Sequence, residues 1–168
     1  MLQARGAVFD MSEAFHTDRG CGIDEPVVLR VGGAEIGPGA ELSCQMALQW
    51  LDFEQRVVQP LAREHFGEPI VYVRQLSGYS CRQSTGNRRK LSQHSYGMAL
   101  DVGAFELADG TQISVLTDYA ADNEKGRFLR AVAERACAMF STVLTPNSDA
   151  HHRDHFHLDL GASGICSL

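Results

Sequence analysis

The chain has 168 residues, 44% of them hydrophobic, and a formal net charge of −6. That length and composition suit one globular domain over 1–168 with a sizeable core, and the acidic balance argues against a nucleic-acid partner. No stretch is apolar enough for a membrane span, and the opening Met1-Leu2-Gln3-Ala4-Arg5-Gly6 lacks the apolar core of a signal peptide, so the chain is either cytosolic or written without its leader.

Residues 1–40 are rich in glycine, with Pro26 and Pro38, and read as largely irregular with one short strand over 27–31. Gly37-Pro38-Gly39 reads as the stop of that part. From 41 to 66 the pattern turns helical: Met46, Trp50, Phe53, Val57 and Leu61 recur at three- and four-residue steps. Glu41 suits the positive N-terminal end, Pro60 should kink or split the helix, and Gly67 should end it. Residues 69–74 are β-branched and aromatic and predict a strand. A long polar loop over 77–91 follows, carrying Tyr79, Cys81 and Arg82, with Asn87-Arg88-Arg89-Lys90 as a solvated segment. Ala108-Asp109-Gly110-Thr111 is a hairpin turn signal with a returning strand over 113–116. A second amphipathic helix spans 124–140, with Phe128, Leu129, Val132, Ala136 and Phe140 on one side. Thr142-Val143-Leu144 leads through Pro146 and a polar loop to a final strand. Hairpin signals outnumber βαβ signals, so the expected fold is α+β, a mainly antiparallel central sheet with packed helices.

Four of the seven histidines fall in His151-His152-Arg153-Asp154-His155-Phe156-His157-Leu158-Asp159-Leu160. On a strand, His155, His157 and Asp159 share one face and Phe156, Leu158 and Leu160 the other, so the apolar face can be buried while the imidazoles are held rigidly. A matching segment lies upstream, Ser92-Gln93-His94-Ser95-Tyr96-Gly97-Met98-Ala99-Leu100-Asp101, where Gly97 permits a tight turn before a strand that carries Asp101. Two neutral imidazoles and a carboxylate form a three-ligand set for catalytic zinc with a fourth position left for water. The bland alternative is a polar strand end with histidines capped by Asp154 and Asp159. The five cysteines, Cys21, Cys44, Cys81, Cys137 and Cys166, are dispersed with no Cys-x-x-Cys pair. They fit two disulfides with one thiol left over in an oxidising compartment, at least one bridge falling among Cys44, Cys81, Cys137 and Cys166; the alternative is five buried thiols in a cytosolic protein.

Ser92-x-His94-x-x-Gly97-x-Ala99-x-Asp101 followed by His155-x-His157 resembles the zinc peptidases of the lysostaphin and D-Ala-D-Ala metallopeptidase group. Cys21-Gly22-Ile23, Tyr79-Ser80-Cys81-Arg82, Phe105-Glu106-Leu107-Ala108-Asp109-Gly110 and His152-Arg153-Asp154-His155-Phe156-His157 are similar to the bacterial extensin-like protein C-terminal family, which the chain resembles from about Cys21 onward. The resemblance implies the fold of those peptidases and His94, Asp101 and His157 as zinc ligands. It places His155 beside the metal-bound water, His152 as a further active-site histidine, and Arg82 as the group that meets substrate charge. The carboxypeptidase branch has a Glu general base three residues before the last ligand, where this chain has Asp154.

Chemistry agrees with those roles. His155 can take a proton from water and return it to the leaving amine, Arg82 or a protonated His152 can stabilise an oxyanion, and Asp154, Asp159 or a carbonyl can orient the imidazoles. Tyr79 and Tyr96 either line the groove or pack. The expected function is zinc-dependent hydrolysis of peptide stems or cross-links of peptidoglycan by a periplasmic or secreted monomer. Two alternatives are a catalytically idle zinc module that binds cell-wall peptide, and a non-haem iron oxygenase, since two His and one carboxylate also make that triad.

Overall fold

The computed structural model describes residues 1–168 except Gly86 and Arg88, so the basic segment around Arg88 lies partly outside the described residues. Among the described residues the fold is α+β and a single domain, built on a nine-stranded, mainly antiparallel sheet. Its first strands are β1 (Val8–Met11), β4 (Pro26–Val31) and β5 (Glu35–Ser43), with a separate small pair, β2 (Phe15–His16) and β3 (Gly22–Ile23). The expectation of a largely irregular 1–40 is therefore corrected.

The reason is local. Gly37-Pro38-Gly39 lies inside β5 rather than ending a segment. Pro38 follows a cis peptide bond, and a Cβ on Gly37 would sit 2.0 Å from the Tyr72 hydroxyl oxygen. The glycine makes room for a neighbouring strand's ring, which composition reads as a turn signal.

The helix likewise begins later than 41. Glu41 is in β5, and Ser43 caps helix α1 (Cys44–Phe53), its Oγ accepting from the Met46 N–H at 3.1 Å. The expected interruption near Pro60 is a π-helical turn over Glu54–Val58 ahead of helix α2 (Gln59–Phe66), where the Gln59 N–H reaches Glu54 O. Proline lacks the N–H that would continue the α ladder, so the chain widens by one residue before it. Gly67 ends α2 at φ 75°. Glu54, fully buried, accepts from Gly33 N–H at 2.6 Å, Ala34 N–H at 2.8 Å and Gln59 Nε2 at 2.9 Å, which ties the β4–β5 turn to the helices.

The second half carries the site. Strand β6 (Ile70–Ser77) pairs with β7 (Ala99–Leu107), which pairs along its other side with β8 (Gln112–Ser114) and β10 (Phe156–Asp159). The hairpin turn behaves as its sequence predicts, with Gly110 at φ 85° and Asp109 Oδ1 accepting from Thr111 N–H. Beyond β8, the short helix α3 (Val115–Asp118) replaces the rest of the expected strand, and helix α4 (Glu124–Ala136) is capped by Asn123. Strand β9 (Thr142–Leu144) pairs with β10, and β11 (Ile165–Ser167) runs parallel to β9.

The register of β7 and β10 fixes the site. Phe156 lies opposite Val102 and Leu158 opposite Leu100, and all four are buried in the core with Trp50, Phe53, Phe105 and Phe128. Burying side chains of this size is worth about 1.5–3 kcal/mol each. A one-residue slip would turn this row outward and drive the polar row into the core. That polar row, Asp101 opposite His157, therefore faces away from the helices.

Two disulfides brace this arrangement: Cys21–Cys81 ties β3 to the loop after β6, and Cys137–Cys166 ties the end of α4 to β11. Cys44 is the leftover thiol. Among the described residues, no helix is long and apolar enough to cross a membrane.

Candidate metal centre

Among the described residues, His94, Asp101 and His157 are the three whose ligand-type atoms converge, all within 4.8 Å. His94 comes from the 3-10 turn Gln93–Tyr96, which Ser92 caps and Gly97 closes at φ 62°. A Cβ on Gly97 would lie 2.7 Å from Ser43 N, so only glycine lets this turn sit against the start of α1. His94 Nε2 is 3.1 Å from Asp101 Oδ1 and 3.2 Å from His157 Nδ1, and His157 Nδ1 is 2.9 Å from Asp101 Oδ1.

The outer ring nitrogens are committed. His94 Nδ1 donates to Gly78 O at 2.6 Å, and His157 Nε2 donates to Asp159 Oδ2 at 3.0 Å. A carbonyl can only accept, so neutral His94 presents a lone pair at Nε2 to a carboxylate oxygen with no proton between them. With His157 also neutral, as a ligand must be, three electron-rich atoms face one another in a buried place, which suits a cation at their centre. Tetrahedral binding with bonds of about 2.0–2.1 Å sets donors about 3.3 Å apart, close to the separations found. The residues fit a divalent metal, with orienting partners of the usual kind.

The electrostatics follow from the same contacts. Burial opposes ionisation of Asp101, but in the metal-free protein its contacts with His157, whose Nδ1 is 2.9 Å away, and with His94 outweigh it and hold the carboxyl well below the usual carboxylate range. For the metal-free protein, burial pushes His157 down, yet its hydrogen bonds to Asp101 and Asp159 prevail and raise it to about 9.

The other expected site residues gather around this centre. His155 Nδ1 is 2.8 Å from Asp154 Oδ1, and its Nε2 points inward, 3.7 Å from Asp101 Oδ1. The hydrogen bond from His155 holds Asp154 below its ordinary value, so Asp154 is an ionised partner of His155. The His152 ring centre lies 5.2 Å from that of His155 and 5.8 Å from that of His157. Burial pushes His152 down, only partly offset by its bond to Asp149, so the ring is neutral near pH 7. Arg82, 40% exposed at its side chain, lies 3.9 Å from Asp101 Oδ2. Tyr79 packs edge-on against Phe15, and Tyr96 borders a different depression beside Cys44 and Met98.

Asp149, which sequence reasoning passed over, caps the short turn Ala150–His152 and holds His152 Nδ1 at 2.9 Å. Its signal was present: an Asp immediately before a short helical turn is a cap. Gly78 O carries no side-chain signal at all. Of the triad, His157 lines a cleft of about 420 Å³ between the loop after β6 and the strands β9 to β11, together with Arg82, His152 and Asp159.

The family model for the extensin-like protein C-terminus matches residues 1–167. The chain belongs to that family. No curated protein and no solved structure matches it significantly.

Proposed function

We propose that this extensin-like protein is a zinc-dependent peptidase of the lysostaphin and D-Ala-D-Ala metallopeptidase type, acting on peptide stems or cross-links of bacterial peptidoglycan. One observation carries the reading. Two imidazoles and a carboxylate converge, their outer nitrogens committed, while His155 aims its Nε2 at the same point without sharing in the three-atom cluster. His94, Asp101 and His157 would hold the ion, which when bound supplies a Lewis acid and lowers the pKa of water.

The remaining steps belong to the chain. Asp154 keeps the proton on His155 Nδ1, so Nε2 is free to take a proton from the attacking water and return it to the leaving amine. This assigns the base to His155 and leaves Asp154 as its orienting partner. His152, neutral and donating its Nδ1–H to Asp149, presents a lone pair at Nε2, so it accepts a hydrogen bond there rather than contributing charge. Arg82 at the cleft wall supplies the positive charge for a developing oxyanion or a substrate carboxylate. Two disulfides support a periplasmic or secreted home.

A second reading rests on Asp154 standing where the carboxypeptidase branch has Glu: a zinc module that binds cell-wall peptide without turnover. The same donors also suit non-haem iron. Metal analysis of protein purified without added metal, followed by incubation with purified muropeptides, separates the three. Zinc with new peptide termini supports the peptidase, zinc with binding and no new termini the module, and stoichiometric iron the oxygenase.

A further inference from the structure

Among the cleft-lining side chains, the two carboxylates, the two histidines and Ser92 already have partners, whereas Ser84, Thr85, Lys90, Gln93 and Ser163 form no side-chain hydrogen bond with the described residues. Asp149 accepts from His152 and from the His151 N–H, Asp159 from His157 and from the Gly161 N–H, and Ser92 Oγ from the His94 N–H. Of the unpartnered groups, Gln93 adjoins a ligand. It immediately precedes His94 and lines the cleft, and its carboxamide forms no hydrogen bond with the described residues, although its backbone carbonyl accepts from Met98.

Its side chain is nevertheless held in place. A Cβ on Gly161 would lie 2.7 Å from Gln93 Nε2, 2.8 Å from Cδ and 3.0 Å from Cγ. Gly161 is needed there for space, since its backbone is outside the left-handed region. The Gly161 N–H is fixed at 2.8 Å by Asp159, the carboxylate that also orients His157. Gln93 is thus seated on a platform tied to one ligand and joined by the chain to another. Thr142, across the strands from Asp159, has a buried hydroxyl that also lacks a partner among the described residues. Both groups lie on the Asp159 side of His157, opposite His155 along the strand.

A carboxamide offers a donor and an acceptor in one plane, the complement of a backbone peptide group. We propose that Gln93 is a positioning residue whose carboxamide hydrogen-bonds a backbone amide of the peptide substrate in this cleft, beside the cleaved bond rather than at it. The inference rests on the peptidase reading above. Such a bond forms equally in the bound substrate and the transition state, so it lowers KM and leaves kcat alone.

The test uses zinc-loaded protein and purified muropeptides. Gln93→Met keeps the length of the side chain and removes both hydrogen-bonding groups. We expect KM, and the calorimetric Kd of the cleaved product peptides, to rise about fivefold to tenfold, the loss of one or two neutral hydrogen bonds. Zinc affinity, melting temperature and kcat stay within about twofold or unchanged on the same account. Gly161→Ala should reproduce the rise by displacing Gln93. If that variant does not fold, Gln93→Met decides alone. Unchanged KM and Kd in Gln93→Met overturn the inference, as does loss of zinc or of kcat with KM unchanged, which would make Gln93 a support for His94. Wild-type protein that holds zinc and neither binds nor cleaves any muropeptide removes the peptidase reading itself and this inference with it.

Discussion

Replacing Asp159 with Ala should weaken zinc binding although Asp159 touches no ligand position. Asp159 Oδ2 holds the His157 Nε2 proton at 3.0 Å and so presents Nδ1 to the triad, while Oδ1 holds the Gly161 N–H at 2.8 Å. Both side chains are buried, so no solvent replaces the lost acceptor without rearrangement. Without Asp159 the ring can turn or change tautomer, and the ligand nitrogen becomes less basic. Removing a partner of this kind costs about 10–100-fold in metal affinity, which is about 1.4–2.8 kcal/mol at about 1.4 kcal/mol per tenfold. Asp159→Asn retains an acceptor oxygen for the Nε2 proton and loses only the charge, so it should fall between Asp159→Ala and wild type. Competition for zinc against a chromophoric chelator at pH 7 measures both, with circular dichroism checking that each variant is folded. An Asp159→Ala protein that binds zinc within twofold of wild type would refute the orienting role of the Asp159–His157 bond.

The chemistry makes a parallel demand: zinc-loaded His155→Ala should lose about 10²–10⁴-fold in muropeptide cleavage at full zinc occupancy, and Asp154→Asn less, since it perturbs only the partner of His155. Equal losses from both at equal occupancy would return the base to Asp154. Opening the Cys137–Cys166 bridge by a double Ala substitution should destabilise the protein by about 3.6 kcal/mol, the chain-entropy value for a 29-residue separation; a fall below 1 kcal/mol in denaturant unfolding would contradict it, and alkylation without reductant should label Cys44 alone. In metal-stripped protein, His157 is raised from 6.5 to about 9, so its stabilisation is complete below pH 6.5 and is lost as pH rises toward 9. Asp101, lowered from 3.8, contributes stability above that value which is lost as pH falls through its folded range. The melting temperature of the metal-free protein should therefore decline between pH 6.5 and 9, and zinc should raise it most at the upper end; a metal-free melting temperature that climbs over that window would contradict the His157 contacts.

The triad was legible because its spacing is short and periodic. Alternation through Phe156, His157 and Leu158 puts a buried row and a ligand row on opposite faces, and the same alternation through Leu100, Asp101 and Val102 supplies the partner. The orienting groups were only half legible. Asp154 and Asp159 stand next to the histidines they hold, whereas Gly78 O reaches His94 across 16 residues as a backbone atom that no residue type announces. The first 40 residues misled because Gly37 serves Tyr72 rather than a turn. The start of α1 misled because strand β5 ends directly in its cap at Ser43, so the apolar spacing of Met46 and Trp50 seemed to extend back to Glu41. Glu54 shows the limit of periodicity: a carboxylate reads as solvent-facing, and its burial becomes intelligible only when the Gly33 and Ala34 N–H groups arrive from another element.

The central claim is that zinc held by His94, Asp101 and His157 hydrolyses peptidoglycan peptides. Its most direct test is a zinc add-back titration of the metal-stripped protein, read as new amino termini released from purified muropeptides. The account predicts no release without metal, a linear rise to one equivalent of zinc with no further gain, and no recovery at one equivalent in His94→Ala, Asp101→Ala or His157→Ala. Stoichiometric zinc on wild-type protein with no new termini, or full recovery in the ligand variants, would contradict it.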